Sequence, residues 1–188
     1  MKLYFKKLEF KLPDLDMSKI ISDRVTEGYG QVFRSYEILD PDYFNFMYSK
    51  VIDFSIVPDK IDYTNITDYG VLPHKDEMKT SINYYLNPQH CVTVFWQLAN
   101  NKYEPEPIQQ LQPDGEWRQA KGVQVFDKTQ LKLATYFKAY PTDAYILSVE
   151  EIHSVLKQET HTTREFLRWS WFDYGINEIL SSITLKQQ

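Results

Sequence analysis

In the stretch GVLPHKDEMKTSINYYLN, residues 70–87, a histidine and an aspartate stand two apart, His74 and Asp76. On an extended strand, residues of equal parity share a face, so this imidazole and this carboxylate can reach one point. The pair alone is common and decides nothing. Further along, the segment EEIHSVL carries His153, and REFLRWSWF carries Arg164, Arg168 and Ser170. Two imidazoles and one carboxylate could hold a divalent metal and leave positions open for other ligands. Arg164, Phe166, Arg168, Ser170 and Phe172 also share parity. Two arginines on one face of so aromatic a strand are costly unless paired. Either that face meets solvent or something anionic lies opposite, and an arginine fork fits a carboxylate in bidentate fashion.

The remaining candidates each have a plain reading beside the chemical one. Tyr85 is either a core tyrosine or a hydroxyl aimed at a ligand. Arg168 is either a substrate contact or half of a salt bridge, with Asp143 or Glu165 as partner. Ser170 reads as a small packing residue. His90 and His161 lie in polar turns and read as solvated. Trp96, Trp169 and Trp171 read as core or pocket wall, and Glu150–Glu151 as a solvated turn.

The elements that must position these groups are mostly strands. Runs rich in Ile, Val, Thr, Tyr and Phe recur after residue 54: Ser81–Leu86, Val92–Leu98, Ala144–Val149 and Glu165–Phe172. Turn-rich pieces divide them, such as Asn87–Pro88 and Pro113–Asp114–Gly115. Residues 2–12 alternate with a parity change that suggests a bulge near Lys6–Lys7. Met17, Ile20 and Ile21 after Asp14 or Asp16 predict a helix over 14–25. Asp40 and Pro41, with Phe44, Met47, Tyr48 and Val51 behind them, predict a helix over 41–52. Residues 100–122, polar and rich in Pro and Gly, are the longest loop candidate, with a hairpin and a mobile tip as the ordered alternative. Residues 127–139 fit helix or strand, and Ile176, Ile179, Leu180 and Ile183 suggest a closing helix. Helices followed by many short strands, without alternation of the two, predict a mainly β (α+β) protein: an antiparallel sandwich or barrel with helices packed outside.

Composition bounds the function classes. The 188 residues suit one domain spanning 1–188, and aromatics at 15% favour sheet. The net charge is −5 and no Lys/Arg cluster tracks a phosphate backbone, so nucleic acid is not favoured as a partner. Cys91 is the single cysteine, so no internal disulfide points to secretion. The start, MKLYFKKLEFKL, is not patterned as a signal peptide, and no run approaches 18 apolar residues. A cytoplasmic location without membrane attachment is the expectation.

Two imidazoles and a carboxylate with open positions form the facial triad of non-haem Fe(II) oxygenases. In His74-Lys75-Asp76, His153 and Arg164, residues 68–172 resemble the Fe(II)/2-oxoglutarate-dependent oxygenases, and Tyr84-Tyr85-Leu86-Asn87 is similar to the prolyl-hydroxylase branch. The resemblance implies a distorted double-stranded β-helix, or jelly roll, with N-terminal helices outside. It implies Fe(II) on His74, Asp76 and His153, and 2-oxoglutarate held at its far carboxylate by Arg164 and Tyr85. It implies hydroxylation of a C–H bond with release of succinate and CO2. Arg168, four residues after Arg164, is then a contact for the substrate, a small molecule or a peptide. Thr142-Asp143 departs from the Gly-Asp that often precedes the strand leading to the second histidine. Arg168-Trp169-Ser170 resembles the Arg-x-Ser motif of one branch, an alternative seat for the cosubstrate. The competing readings are a non-catalytic β-sandwich binding or structural protein and a cupin-like metalloenzyme. The identity of the substrate and the oligomeric state are not legible.

Overall fold

The computed structural model describes residues 2–29, 32–67, 70–100, 105–156 and 163–186. His161 lies outside them. In chain order the elements are β1 (Phe5–Leu8), β2 (Ile21–Tyr29), β3 (Phe33–Ile38), α1 (Pro41–Tyr48), β4 (Ile52–Phe54), β5 (Lys60–Thr67), β6 (Val71–Lys75) and β7 (Thr80–Asn87). There follow β8 (Val92–Leu98), β9 (Glu106–Leu111), β10 (Trp117–Val125), β11 (Leu131–Lys138), β12 (Ala144–Ser148), β13 (His153–Leu156), β14 (Thr163–Trp171), α2 (Ile176–Ser182) and β15 (Ile183–Leu185). The protein is mainly β.

Thirteen strands form one sheet in the order β1-β12-β7-β14-β5-β3-β2-β9-β10-β6-β13-β8-β11, while β15 and β4 pair separately. The long sheet folds back on itself. Phe5 on β1, at one end of the order, lies 4.7 Å from Phe137 on β11, at the other. Tyr4 likewise meets Phe95 of β8 at 5.5 Å. Tyr85, Phe95, Tyr145 and Phe166 fill the space between the two halves.

Strand β14 serves two layers through its alternation. Leu167, Trp169 and Trp171 join a second core under α1, where Phe44 stacks on Trp169 at 5.5 Å. Arg164, Phe166 and Arg168 turn to the interior between the halves. The predicted strands 81–86, 92–98, 144–149 and 165–172 are all present to within a few residues.

Helix α1 begins as its sequence dictates: the Asp40 carboxylate accepts from the Tyr43 N–H at 3.0 Å and Pro41 opens the first turn. It stops at Tyr48, short of residue 52, because Ile52 pairs with Leu185 in the small sheet. The helix expected over 14–25 is a correction. Asp16 caps one short turn, Met17–Lys19, and β2 starts at Ile21. Strand β3 offers β2 a ladder from Ile21↔Ile38 to Tyr29↔Phe33, and Val25 and Thr26 are β-branched, so sheet pairing outweighs a spacing of three apolar residues. The bulge expected at Lys6–Lys7 is also absent, since β1 and β12 pair without a register break.

Within residues 100–122, positions 101–104 lie outside the described residues. The rest forms an antiparallel β9–β10 hairpin, the ordered alternative of the two readings, with Gly115 at φ 86° in its turn. Residues 127–139 resolve as an Asp127-capped turn leading into β11. The closing helix is α2. Among the described residues no helix is long and apolar enough to cross a membrane.

Candidate metal centre

Strands β6 and β13 are antiparallel neighbours, and their register puts His153 opposite His74. His153 lies a short turn past β12 and opens β13. The two rings lie 4.2 Å apart between centroids. Asp76 follows β6, and its N–H donates to the Val149 carbonyl at 3.0 Å, which fixes the backbone that presents its carboxylate. His74 Nε2 is 3.3 Å from one Asp76 oxygen and His153 Nε2 is 3.8 Å from the other. One ligand atom from each of the three side chains lies within 4.8 Å of the others.

The far side of each ring sets its tautomer. His74 Nδ1 is 2.8 Å from the Leu72 carbonyl, and His153 Nδ1 is 2.9 Å from the Glu151 carbonyl. A carbonyl only accepts, so each Nδ1 carries a hydrogen, and in the neutral ring Nε2 is left as the atom that can ligate a metal. Outer hydrogen bonds of this kind orient metal-binding histidines and raise their basicity. Burial pushes Asp76 up, but the His74 hydrogen bond, both imidazoles and Arg168 outweigh it and hold Asp76 well below the carboxylate range. Burial and the neighbouring His74 push His153 down to about 4. Burial also works against protonated His74, but its contact with Asp76 prevails and raises it. A charged Asp76 and a neutral His153 suit a divalent metal, while His74, held toward its protonated form by Asp76, would release that proton when a metal binds.

The triad lines a slot of about 40 Å³ whose other walls include Ser81, Asn83, Thr93, Phe166 and Arg164. Arg164 is 2% exposed. Its Nη2 donates to Thr93 Oγ1 at 2.9 Å, while Nε and Nη1 have no hydrogen-bond partner among the described residues. Asn83 Oδ1 and Ser81 Oγ are unpartnered as well. The Tyr85 ring lies under the guanidinium, 4.7 Å from its carbon, and the Tyr85 hydroxyl has no partner. Phe95 sits opposite His153 in the β13–β8 register, and Thr93 is two residues along β8. Arg164 is therefore anchored roughly 7 Å down the strand from the metal triad.

Arg168 lines the same slot but has different partners. It donates from Nε to Asp62 Oδ1 at 3.1 Å and from Nη2 to Asp62 Oδ2 at 2.8 Å, and it is ion-paired with Glu27. Ser35 Oγ accepts from the same Nη2 at 3.0 Å. Lys60 Nζ reaches Glu27 and Asp62, each at 3.1 Å. Two carboxylates and two cations thus balance one another inside the sheet. The salt-bridge partners weighed from sequence are corrected: Asp143 pairs with Lys7 at 2.6 Å, and Glu165 accepts from the Tyr63 hydroxyl at 2.7 Å.

Of the other candidates, His90 is exposed in a turn at φ 56°. Trp96 is a buried wall whose Nε1 donates to Ser154 Oγ at 2.8 Å. Ser170 is fully buried with an unpartnered Oγ. The Glu151 side chain pairs with Lys2 at 2.6 Å, while its carbonyl orients His153. Thr93, Asn83, Glu27 and Asp62 went unnoticed in the sequence. The available signal was a polar residue at an inward parity of a buried strand, as Asp62 is in KIDYTNIT. No known protein family and no curated protein matches this chain.

Proposed function

We propose that this protein is an Fe(II)- and 2-oxoglutarate-dependent oxygenase built on a distorted double-stranded β-helix. The observation that carries the reading is Arg164: a buried guanidinium with two nitrogens unpartnered among the described residues, in the same slot as a triad suited to a metal. A cation buried without a counterion costs several kcal/mol. The arrangement makes physical sense when an anion completes it.

The residues fit both groups. His74, Asp76 and His153 are the two-imidazole, one-carboxylate set that suits Fe(II) and leaves coordination positions open. Arg164 and Thr93 would hold the far carboxylate of 2-oxoglutarate through charge-assisted hydrogen bonds. Tyr85 would support the guanidinium from below through its ring face. When bound, Fe(II) and 2-oxoglutarate supply with O2 the oxidising power to hydroxylate a C–H bond, with succinate and CO2 as coproducts.

The chain's own work is to hold and to exclude. The carbonyls of Leu72 and Glu151 keep both Nε2 lone pairs aimed inward. Phe33, Ile66 and Val155 wall the slot with hydrocarbon, which strengthens every charge interaction inside it. The slot is small, about 40 Å³. Glu27 and Asp62 neutralise Arg168, the slot's other cation, which leaves Arg164 as the site for the anion.

The test is succinate release from 2-oxoglutarate under air, with Fe(II), scored over a panel of peptides and small molecules. The reading expects iron-dependent succinate above background, abolished in His74→Ala. Tight 2-oxoglutarate binding with no turnover on any substrate would favour a binding protein instead. Turnover that needs another metal would favour a cupin-like enzyme.

A further inference from the structure

We infer that the prime substrate presents a neutral apolar group to this site, and that a cavity beside His74 receives it. The inference rests on the oxygenase reading, because it takes the triad as the place where the substrate reacts. The cavity measures about 330 Å³, and Tyr29, Phe33, Leu72 and Val125 form much of its wall. Phe33, Val71 and His74 belong to both this cavity and the slot, so the cavity stands directly against the triad.

Charge decides the class of occupant. No Asp, Glu, Lys or Arg is among the residues described as lining this cavity. The two nearby guanidiniums are committed elsewhere: Arg164 lies at the far end of the slot, and Arg168 is held by Glu27 and Asp62. An anionic group here would lose its water and gain no counterion. An apolar group loses nothing comparable and removes hydrocarbon from water. Arg168 is therefore not free to serve as the substrate contact that its place four residues after Arg164 suggested.

Size narrows the choice further. At about 330 Å³ the cavity is near the lower end for ligand pockets, enough for one ring or one branched aliphatic chain. Gln109, its amide wall, can donate to or accept from a single polar atom. Tyr29 also borders a second groove, lined by Gln110, Gln112 and Gln119 and by the charged Glu27, Lys60, Glu77 and Arg118. The rest of the substrate can stay hydrated there. The same apolar group could belong to a free small molecule or to a peptide side chain.

The experiment is an NMR titration of the full chain, reading the methyl signals of Val71, Leu72 and Val125. Three probes share one ring: toluene, N-acetyl-L-phenylalaninamide and phenylacetate. Both neutral probes should shift these methyls, and phenylacetate should bind at least 10-fold more weakly. Tighter binding of the amide than of toluene assigns the group to a peptide; the reverse order assigns it to a small molecule. Val125→Trp fills the cavity and should weaken the neutral probes at least 10-fold. Leu72 is 70% exposed, so Leu72→Asp spares the fold and should have the same effect by adding a charge. Phenylacetate binding as tightly as toluene, or probes indifferent to both variants, would overturn the inference. Metal and 2-oxoglutarate binding without any neutral probe bound would overturn it alone. Probe binding without metal binding would remove the oxygenase reading and leave the cavity's preference standing.

Discussion

Arg164 on β14 donates to Thr93 on β8 across the interior, between strands far apart in the sheet order, at 2.9 Å. That single bond ties a buried cation to a neutral hydroxyl. Four residues on, Arg168 is tied to two carboxylates. The same residue type, on the same face of one strand, is provided for in one case and left waiting in the other.

This contrast predicts opposite effects on the unliganded fold. Arg168→Met strands Glu27 and Asp62 with only Lys60 between them and should cost about 3–5 kcal/mol. Arg164→Met removes a buried charge that lacks a counterion and should leave stability unchanged or raise it by up to ~1 kcal/mol. Urea unfolding of both variants without ligand reads the difference. Equal losses would mean that Arg164 has a protein counterion after all.

With ligand the order reverses. Losing the Arg164 fork should remove about 1.5–3 kcal/mol of interaction with the far carboxylate. The apparent constant for 2-oxoglutarate should rise roughly 10- to 100-fold in Arg164→Ala. Arg164→Lys should lose less, since a point charge keeps the attraction but not the fork. A titration of succinate release against 2-oxoglutarate measures both. The larger loss in a folded Arg168 variant would make Arg168-Trp169-Ser170 the cosubstrate motif.

These predictions draw unequally on the sequence. His74 and Asp76 were legible because strand parity is local, and Arg164 because it stands at the start of a recognisable strand, while His153 was picked out by residue type and order without its strand. The partners were not. Thr93, Glu27 and Asp62 reach the arginines through sheet register and closure of the two halves, which no local pattern encodes. The segment 14–25 was misread because Met17, Ile20 and Ile21 fit helical spacing, while the deciding ladder to β3 is a tertiary fact. The β9–β10 hairpin was legible only as an alternative to a loop because its strands are polar, with Gln side chains that line grooves instead of filling a core.

Asp62 should give the fold a pH dependence of known sign. Burial pushes its carboxyl up, but Arg168 and Lys60 outweigh burial and hold it below its usual range. A depressed folded value means the contribution is complete above the unfolded value of about 3.9 and is lost as pH falls through the folded one. Stability should therefore drop steeply below about pH 4, and Asp62→Asn should be less stable at pH 7 yet show a shallower drop. Urea midpoints between pH 7 and pH 3 test this. A variant with the native slope would assign the acid sensitivity to other groups.

Thr142 occupies the left-handed region at φ 71°, where its Cβ is strained, and it stands where the resembled family often has glycine. Its N–H donates to the Tyr85 carbonyl at 2.7 Å, so the turn is held in place despite the residue type. A side chain in this region costs about 1–2 kcal/mol, partly offset by the extra unfolded-state freedom of glycine. Thr142→Gly should raise stability by up to ~1 kcal/mol in thermal unfolding. A loss of stability would show that the Thr142 side chain contributes more than the strain removes.

The central claim is that His74, Asp76 and His153 together bind one divalent metal. The direct measurement is an anaerobic calorimetric titration of Fe(II) into the metal-free protein and into the His74→Ala, His153→Ala double variant. The account predicts one site per chain in the native protein and no comparable site in the variant, with the fold retained. Iron bound with the same stoichiometry and affinity by the double variant would contradict it.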